Sequence, residues 1–136
     1  MKHKLRLVFA LIFTAAVSLQ FAHAAPQGVI EDIVKGLKTG DAGLMAKHFN
    51  ANIDLSIPGY ENIYSSKQSE MILKTFFKQY IPKDFVIKHQ GSARDGSQYS
   101  IGLLSTSKGI YRTYFLLKKN ADRLLMFQLR IEQDKP

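Results

Sequence analysis

Apolar side chains recur at Val29, Ile30, Ile33, Val34 and Leu37, a spacing that puts them on one side of a helix. Thr39-Gly40 follows, and a glycine just past the last periodic residue predicts the stop. Asp41 predicts the N-cap of a second, short helix with Leu44, Met45 and Phe49 on one side. At Ile53, Leu55 and Ile57 the period falls to two, against Asn52, Asp54 and Ser56, predicting a strand that Pro58-Gly59 ends. Residues 60–64 predict a short return strand. Ser65 with Gln68 has the spacing of a capping box. The helix it opens buries Ile72, Leu73, Phe76, Phe77 and Tyr80, and Ile81-Pro82 closes it.

The remainder predicts four strands, over 85–92, 97–106, 110–118 and 123–133. With a period of two, a one-residue slip in pairing turns every side chain to the other side, so the apolar match selects the loops. A three-residue loop Arg94-Asp95-Gly96 pairs His89 with Ile101 and Ile87 with Leu103. A loop Ser107-Lys108-Gly109 pairs Ile101 with Phe115, and Asn120-Ala121-Asp122 pairs Phe115 with Phe127. All three fit a type I turn plus bulge, with Gly96, Gly109 and Asp122 left-handed. One face of the sheet is then Phe85, Ile87, His89, Tyr99, Ile101, Leu103, Tyr111, Thr113, Phe115, Leu117, Leu125, Phe127, Leu129 and Ile131. It is almost wholly apolar and is expected under the helices. The other face is mixed: Lys88, Gln90, Ser100, Gly102, Leu104, Arg112, Tyr114, Leu116, Met126, Gln128 and Arg130. The expected architecture is α+β, with helices on one face of a curved antiparallel sheet.

The amino end changes the compartment. Lys2, Lys4 and Arg6 precede an apolar run from Leu7 to Val17 that only Thr14 interrupts, and Ala22-His23-Ala24 places small residues where a signal peptidase reads them. A membrane span needs about 20 mostly apolar residues, and Ser18, Gln20 and His23 break the stretch sooner. Residues 1–24 are expected to be a cleaved signal peptide and residues 25–136 one domain, exported to the periplasm or medium and free of the membrane. The leader takes three of the 19 Lys+Arg and none of the 11 Asp+Glu, leaving 16 against 11. Those charges are scattered, unlike the basic runs of nucleic-acid binders, and no nucleic-acid partner is expected. Small exported domains often rely on disulfides, but this chain has no cysteine. Packing alone must hold its 112 mature residues, a length that buries about 65% of the unfolded surface.

Several stretches carry a resemblance: Lys38-Thr39-Gly40-Asp41, Ala46-Lys47-His48-Phe49, His89-Gln90-Gly91, Tyr111-Arg112-Thr113-Tyr114-Phe115-Leu116-Leu117-Lys118-Lys119 and Gln128-Leu129-Arg130-Ile131-Glu132. With the order of elements, they resemble the nuclear transport factor 2-like fold, also called the cystatin-like cone. More narrowly, they resemble a family of small exported bacterial proteins classed as a domain of unknown function. The resemblance covers the whole mature chain and implies fold and compartment, not activity. It also implies where an enzyme of the superfamily would work: inside the cone, with an aspartate or Asp–His pair beside tyrosines.

Such chemistry needs a carboxylate on the enclosed face, where burial tunes its pKa. The face assigned to the core has no Asp or Glu, and Asp54 is out of phase with Ile53 and Leu55. Neither His48 nor His89 has an acidic neighbour at useful sequence spacing, and no nucleophile, phosphate-loop or metal-ligand motif is present. No catalytic residue, metal or cofactor is therefore expected. Two readings follow. The first is a non-catalytic binding or interaction module, associating with a second copy or an acidic partner through the mixed face: Leu104, Arg112, Tyr114, Leu116, Met126, Gln128 and Arg130. The second is a small-molecule pocket or enzyme using an open cone around His89, Tyr99, Tyr111 and Thr113. The plainer account of His89 is a core histidine with a hydrogen-bond partner. For the basic residues it is a solvated surface whose stems cover Leu104 and Leu116.

Overall fold

The computed structural model describes residues 26–135, with Pro26 and Gln27 described by backbone alone. The expected signal peptide lies outside the described residues. The elements run α1 (Pro26–Thr39), α2 (Ala42–Ala46), β1 (Phe49–Ile57), β2 (Tyr60–Ser65), α3 (Ser66–Gln79), β3 (Pro82–Ser92), β4 (Gln98–Thr106), β5 (Gly109–Asn120) and β6 (Arg123–Gln133). Among the described residues no helix is long and apolar enough to cross a membrane.

The helix ends form where their chemistry predicts. Gly40 takes φ 71° after α1, a conformation that costs glycine little. The Asp41 carboxylate accepts the Leu44 N–H at 2.9 Å. At α3 the box is reciprocal: the Ser65 hydroxyl accepts the Gln68 N–H and the Gln68 side chain accepts the Ser65 N–H, both at 3.1 Å. Phe49 is the first residue of β1 rather than part of the second helix.

The strands form one sheet in the order β2-β1-β6-β5-β4-β3. It is not antiparallel throughout, because β1 and β6 run parallel. Parallel neighbours need a long connection, and everything from β2 to β5 supplies it. The Met126 N–H donates to the His48 carbonyl at 2.6 Å and starts that pairing. One side of the sheet, the helix face, is covered by Ile33, Leu37, Met45, Leu73, Phe76 and Phe77. Phe85, Phe115, Leu117 and Leu129 meet them from the strands. The other side is the open face.

Which side chains fall on which face differs from expectation, for four local reasons. The first loop is as expected: Gly96 N–H donates to Ala93 O at 3.0 Å, Gly96 is left-handed and His89 opposes Ile101. The register then shifts between Ile87 and His89, leaving Lys88 as the extra residue of a bulge, and Ile87 opposes Gly102. The second loop has two residues, Ser107-Lys108, with Thr106 opposite Gly109. The Thr106 hydroxyl holds it tight, accepting from Lys108 N–H at 3.1 Å and donating to Gly109 O at 2.9 Å. Ile101 therefore opposes Tyr114, not Phe115. The third loop is Ala121-Asp122, with Ala121 rather than Asp122 left-handed at φ 54°. A second shift follows between Leu116 and Leu117, with Phe127 as the extra residue, and Phe115 opposes Leu129.

The expectation for β5 stands, but all of β4, the last part of β3 and the first half of β6 are turned over. Ser100, Gly102, Leu104 and Met126 are buried on the helix face. His89, Tyr99, Ile101 and Leu103 stand on the open face, following their pairing with exposed or half-buried partners. Phe127 lies outside the core, with the Lys118 ammonium 5.6 Å from its ring centroid. Phe115→Ala, at a fully buried ring, should cost about 3–5 kcal/mol in urea unfolding. Phe127→Ala should cost less than half as much; equal costs would contradict this assignment.

Candidate functional site

The four residues expected around an open cone do not converge. Tyr111 and Thr113 point to the helices, whereas His89 and Tyr99 point away from them. Tyr111 is buried in an aromatic cluster. Its ring meets Tyr80 edge-on at 5.3 Å and Phe76 at 6.4 Å, Phe76 stacks on Tyr80 at 4.6 Å, and the Lys108 ammonium caps the Tyr80 ring at 4.7 Å. Thr113 is fully buried, with no hydrogen-bond partner for its hydroxyl among the described residues. The space between helices and sheet is occupied by Phe76, Phe77, Phe85 and Phe115, each at most 6% exposed. Phe127, expected on the same face, is not among them.

Of the residues expected at an interface, Leu104 and Met126 belong to the core, because the two-residue turns at Ser107-Lys108 and Ala121-Asp122 reverse their phase. Arg112, Tyr114, Leu116, Gln128 and Arg130 do share the open face, where Tyr99, Ile101 and Leu103 join them. Tyr99 lies directly against Gly91, which leaves room for the ring, and stacks with Tyr114 at 6.5 Å. Beside this apolar centre is a hollow of about 390 Å³ lined by Ile101, Arg112, Tyr114, Gln128, Arg130 and Glu132. Pairing of β5 with β6 sets Arg112 opposite Glu132 and Tyr114 opposite Arg130. Gln128 reaches the neighbouring strand and donates to the Asp54 carboxylate at 3.2 Å. Asp54 points away from the core, as its phase predicts. Among the described residues the ion pairs lie elsewhere, so no carboxylate comes within 4.0 Å of either guanidinium. Two arginines and two carboxylates thus border an apolar centre of tyrosine, isoleucine and leucine.

Sequence spacing missed one pair: His48 Nε2 lies 2.8 Å from Asp32 Oδ2. The signal was topological, since a short second helix returns the chain beside the first half of α1. Arg123 donates to the Lys47 carbonyl nearby, at 3.4 Å, and the His48 carbonyl holds β6. The pair therefore ties α1 to the corner between α2 and β1. Among the described residues no group of three His, Cys, Asp or Glu side chains is placed to hold a metal ion.

The family model described as Domain of unknown function (DUF4783) matches residues 30–132. The chain belongs to this family. A DUF4783 protein from Bacteroides uniformis is similar to it at 25% identity, covering 78% of this chain and 97% of that one, with a TM-score of 0.73. One from Bacteroides ovatus is similar at 24% identity, covering 77% and 94%, with a TM-score of 0.72. An NTF2-like protein of unknown function from Cytophaga hutchinsonii shares the fold at 12% identity, covering 79% and 88%, with a TM-score of 0.57. No curated protein matches the sequence. This DUF4783 domain therefore has the NTF2-like α+β fold that its sequence resembles, and the family description assigns it no activity.

Burial, and secondarily Tyr80, push the Tyr111 phenol above its ordinary value of 10.0. A raised folded value means that the neutral phenol's contribution is complete below about pH 10 and is lost as pH climbs through the folded value. Tyr111→Phe should therefore lose less stability than the parent protein above about pH 10, measured by urea midpoints across that range.

Proposed function

We propose that this DUF4783 protein is an exported, non-catalytic binding and interaction module that associates with a second copy through the open face of its sheet. The observation that carries the reading is the composition of that face. A solvated antiparallel face alternates to polar residues, but here Tyr99, Ile101, Leu103, Tyr114 and Leu116 occupy adjacent strands. An apolar centre with a polar rim has the anatomy of an interface. A twofold axis covers such a patch with its own copy. The rim suits that partner: Arg112 and Arg130 of one copy have Glu132 and Asp54 of the other as counter-charges, so opposed arginines need not repel.

A small-molecule pocket or enzyme around His89, Tyr99 and Tyr111 is the weaker reading, because the sheet separates those side chains. Export rests on the basic amino end, the apolar run and Ala22-His23-Ala24. Protein recovered from the periplasm or medium of an expressing bacterium should have the intact mass of a chain beginning at Ala25. A retained leader in the membrane fraction would contradict export. Light scattering of the mature protein at micromolar concentration should give a dimer, and Leu116→Asp should give a folded monomer. A parent protein that is monomeric at that concentration would overturn self-association.

A further inference from the structure

A second hollow, of about 620 Å³, runs between α1 and β3, at the end of the sheet where β3 has no further strand beside it. Its walls include Val34, Lys35 and Lys38 from the helix and Phe85, Val86 and Ile87 from the strand. Successive side chains of a strand point to opposite faces, so a hollow touching three consecutive residues lies along the strand's edge. Val86 is 46% exposed there. β3 pairs with β4 alone, and among the described residues no other hydrogen bond reaches residues 83–87. An unpaired edge presents a row of backbone donors and acceptors.

We propose that this groove binds an extended acidic segment of a partner protein, which adds a strand to β3 while its side chains meet α1. Strand addition takes affinity from main-chain hydrogen bonds and specificity from alternate side chains. The wall from Ile30 to Thr39 is ten residues of helix, roughly 14 Å from first to last, which matches about four residues of extended chain. Charge decides the occupant. Lys35 and Lys38 on the helix and Lys83 and Lys88 on the strand outnumber Glu31 and Asp84, so a second copy paired edge to edge would bring like charge against like. On a segment alternating acidic and apolar residues, the acidic side chains turn toward α1 beside Lys35 and Lys38, and the apolar ones turn to the opposite face beside Val86. The Lys88 bulge stops the regular pairing at its far end. This surface is separate from the open face, so it does not rest on self-association.

The probe is a short capped peptide of alternating glutamate and valine, titrated into isotopically labelled mature protein. Backbone amide resonances of residues 83–87 should shift and gain protection from hydrogen exchange. The same peptide with N-methylated backbone amides, or with lysine in place of glutamate, should bind at least tenfold more weakly. Lys35→Glu/Lys38→Glu, with its circular dichroism unchanged, should lose binding by a similar factor. No shift at millimolar peptide would overturn the proposal, as would equal binding of the lysine peptide. So would displacement by oleate with no requirement for peptide amides, which would make the groove a site for anionic amphiphiles. A helix variant that unfolds leaves the two control peptides to decide.

Discussion

The Phe85 ring from β3 lies where a side chain of β4 would otherwise stand, over Gly102. A Cβ at Gly102 would come within 2.5 Å of the ring and 2.6 Å of the Val86 carbonyl oxygen. Only a residue without a side chain permits that approach. The contact sets the phase of β4: with Gly102 toward the helices, Ser100, Leu104 and Thr106 follow it inward, and Tyr99, Ile101 and Leu103 must face out. The aromatic residue thus fills the core from the neighbouring strand, and β4 contributes its larger share of apolar surface to the outside. The open face owes its apolar centre to this exchange.

The helices, their caps and the first hairpin loop were legible in the sequence because their signals are local. Asp41 with Leu44, Ser65 with Gln68, and Asp95-Gly96 each act within a few residues, and apolar periodicity supplies the buried sides. The phase of β5 was also legible, since Arg112 and Lys118 share one phase and leave Phe115 and Leu117 to the other, although Tyr114 and Leu116 blur the alternation between them. β4 was not: Ile101-Gly102-Leu103-Leu104 offers apolar residues in both phases, so matching hydrophobicity across strands had little to discriminate. A glycine within a strand is itself a sign of a bulge or close approach, and Gly102 sits opposite Ile87, beside the Lys88 bulge. The Thr106 hydroxyl, which shortens the next turn, and the extra residue at Phe127 complete the displacement. The resulting errors moved Leu104 and Met126 out of the core and His89 and Tyr99 into it.

Phenylalanines fill the space between helices and sheet, and the hollow on the open face and the groove beside β3 differ in charge. The open face sets Arg112 and Arg130 among Asp54, Glu132 and aromatic surface, a balance that suits its own copy. The groove beside β3 carries Lys35 and Lys38 against Glu31 and offers unpaired backbone, the basis on which we propose an acidic chain there. One fold thereby presents two surfaces of different character, and function resides in such surfaces rather than in the fold itself.

The assignment of faces is tested most directly on β4, and the absence of cysteine makes the test clean. Leu103→Cys and Leu104→Cys should each be made in the Leu116→Asp background, which keeps the open face uncovered, and labelled with a thiol reagent under native conditions. The account predicts rapid labelling at position 103 and protection at position 104 until the protein unfolds. Rapid labelling at 104 with protection at 103 would contradict it.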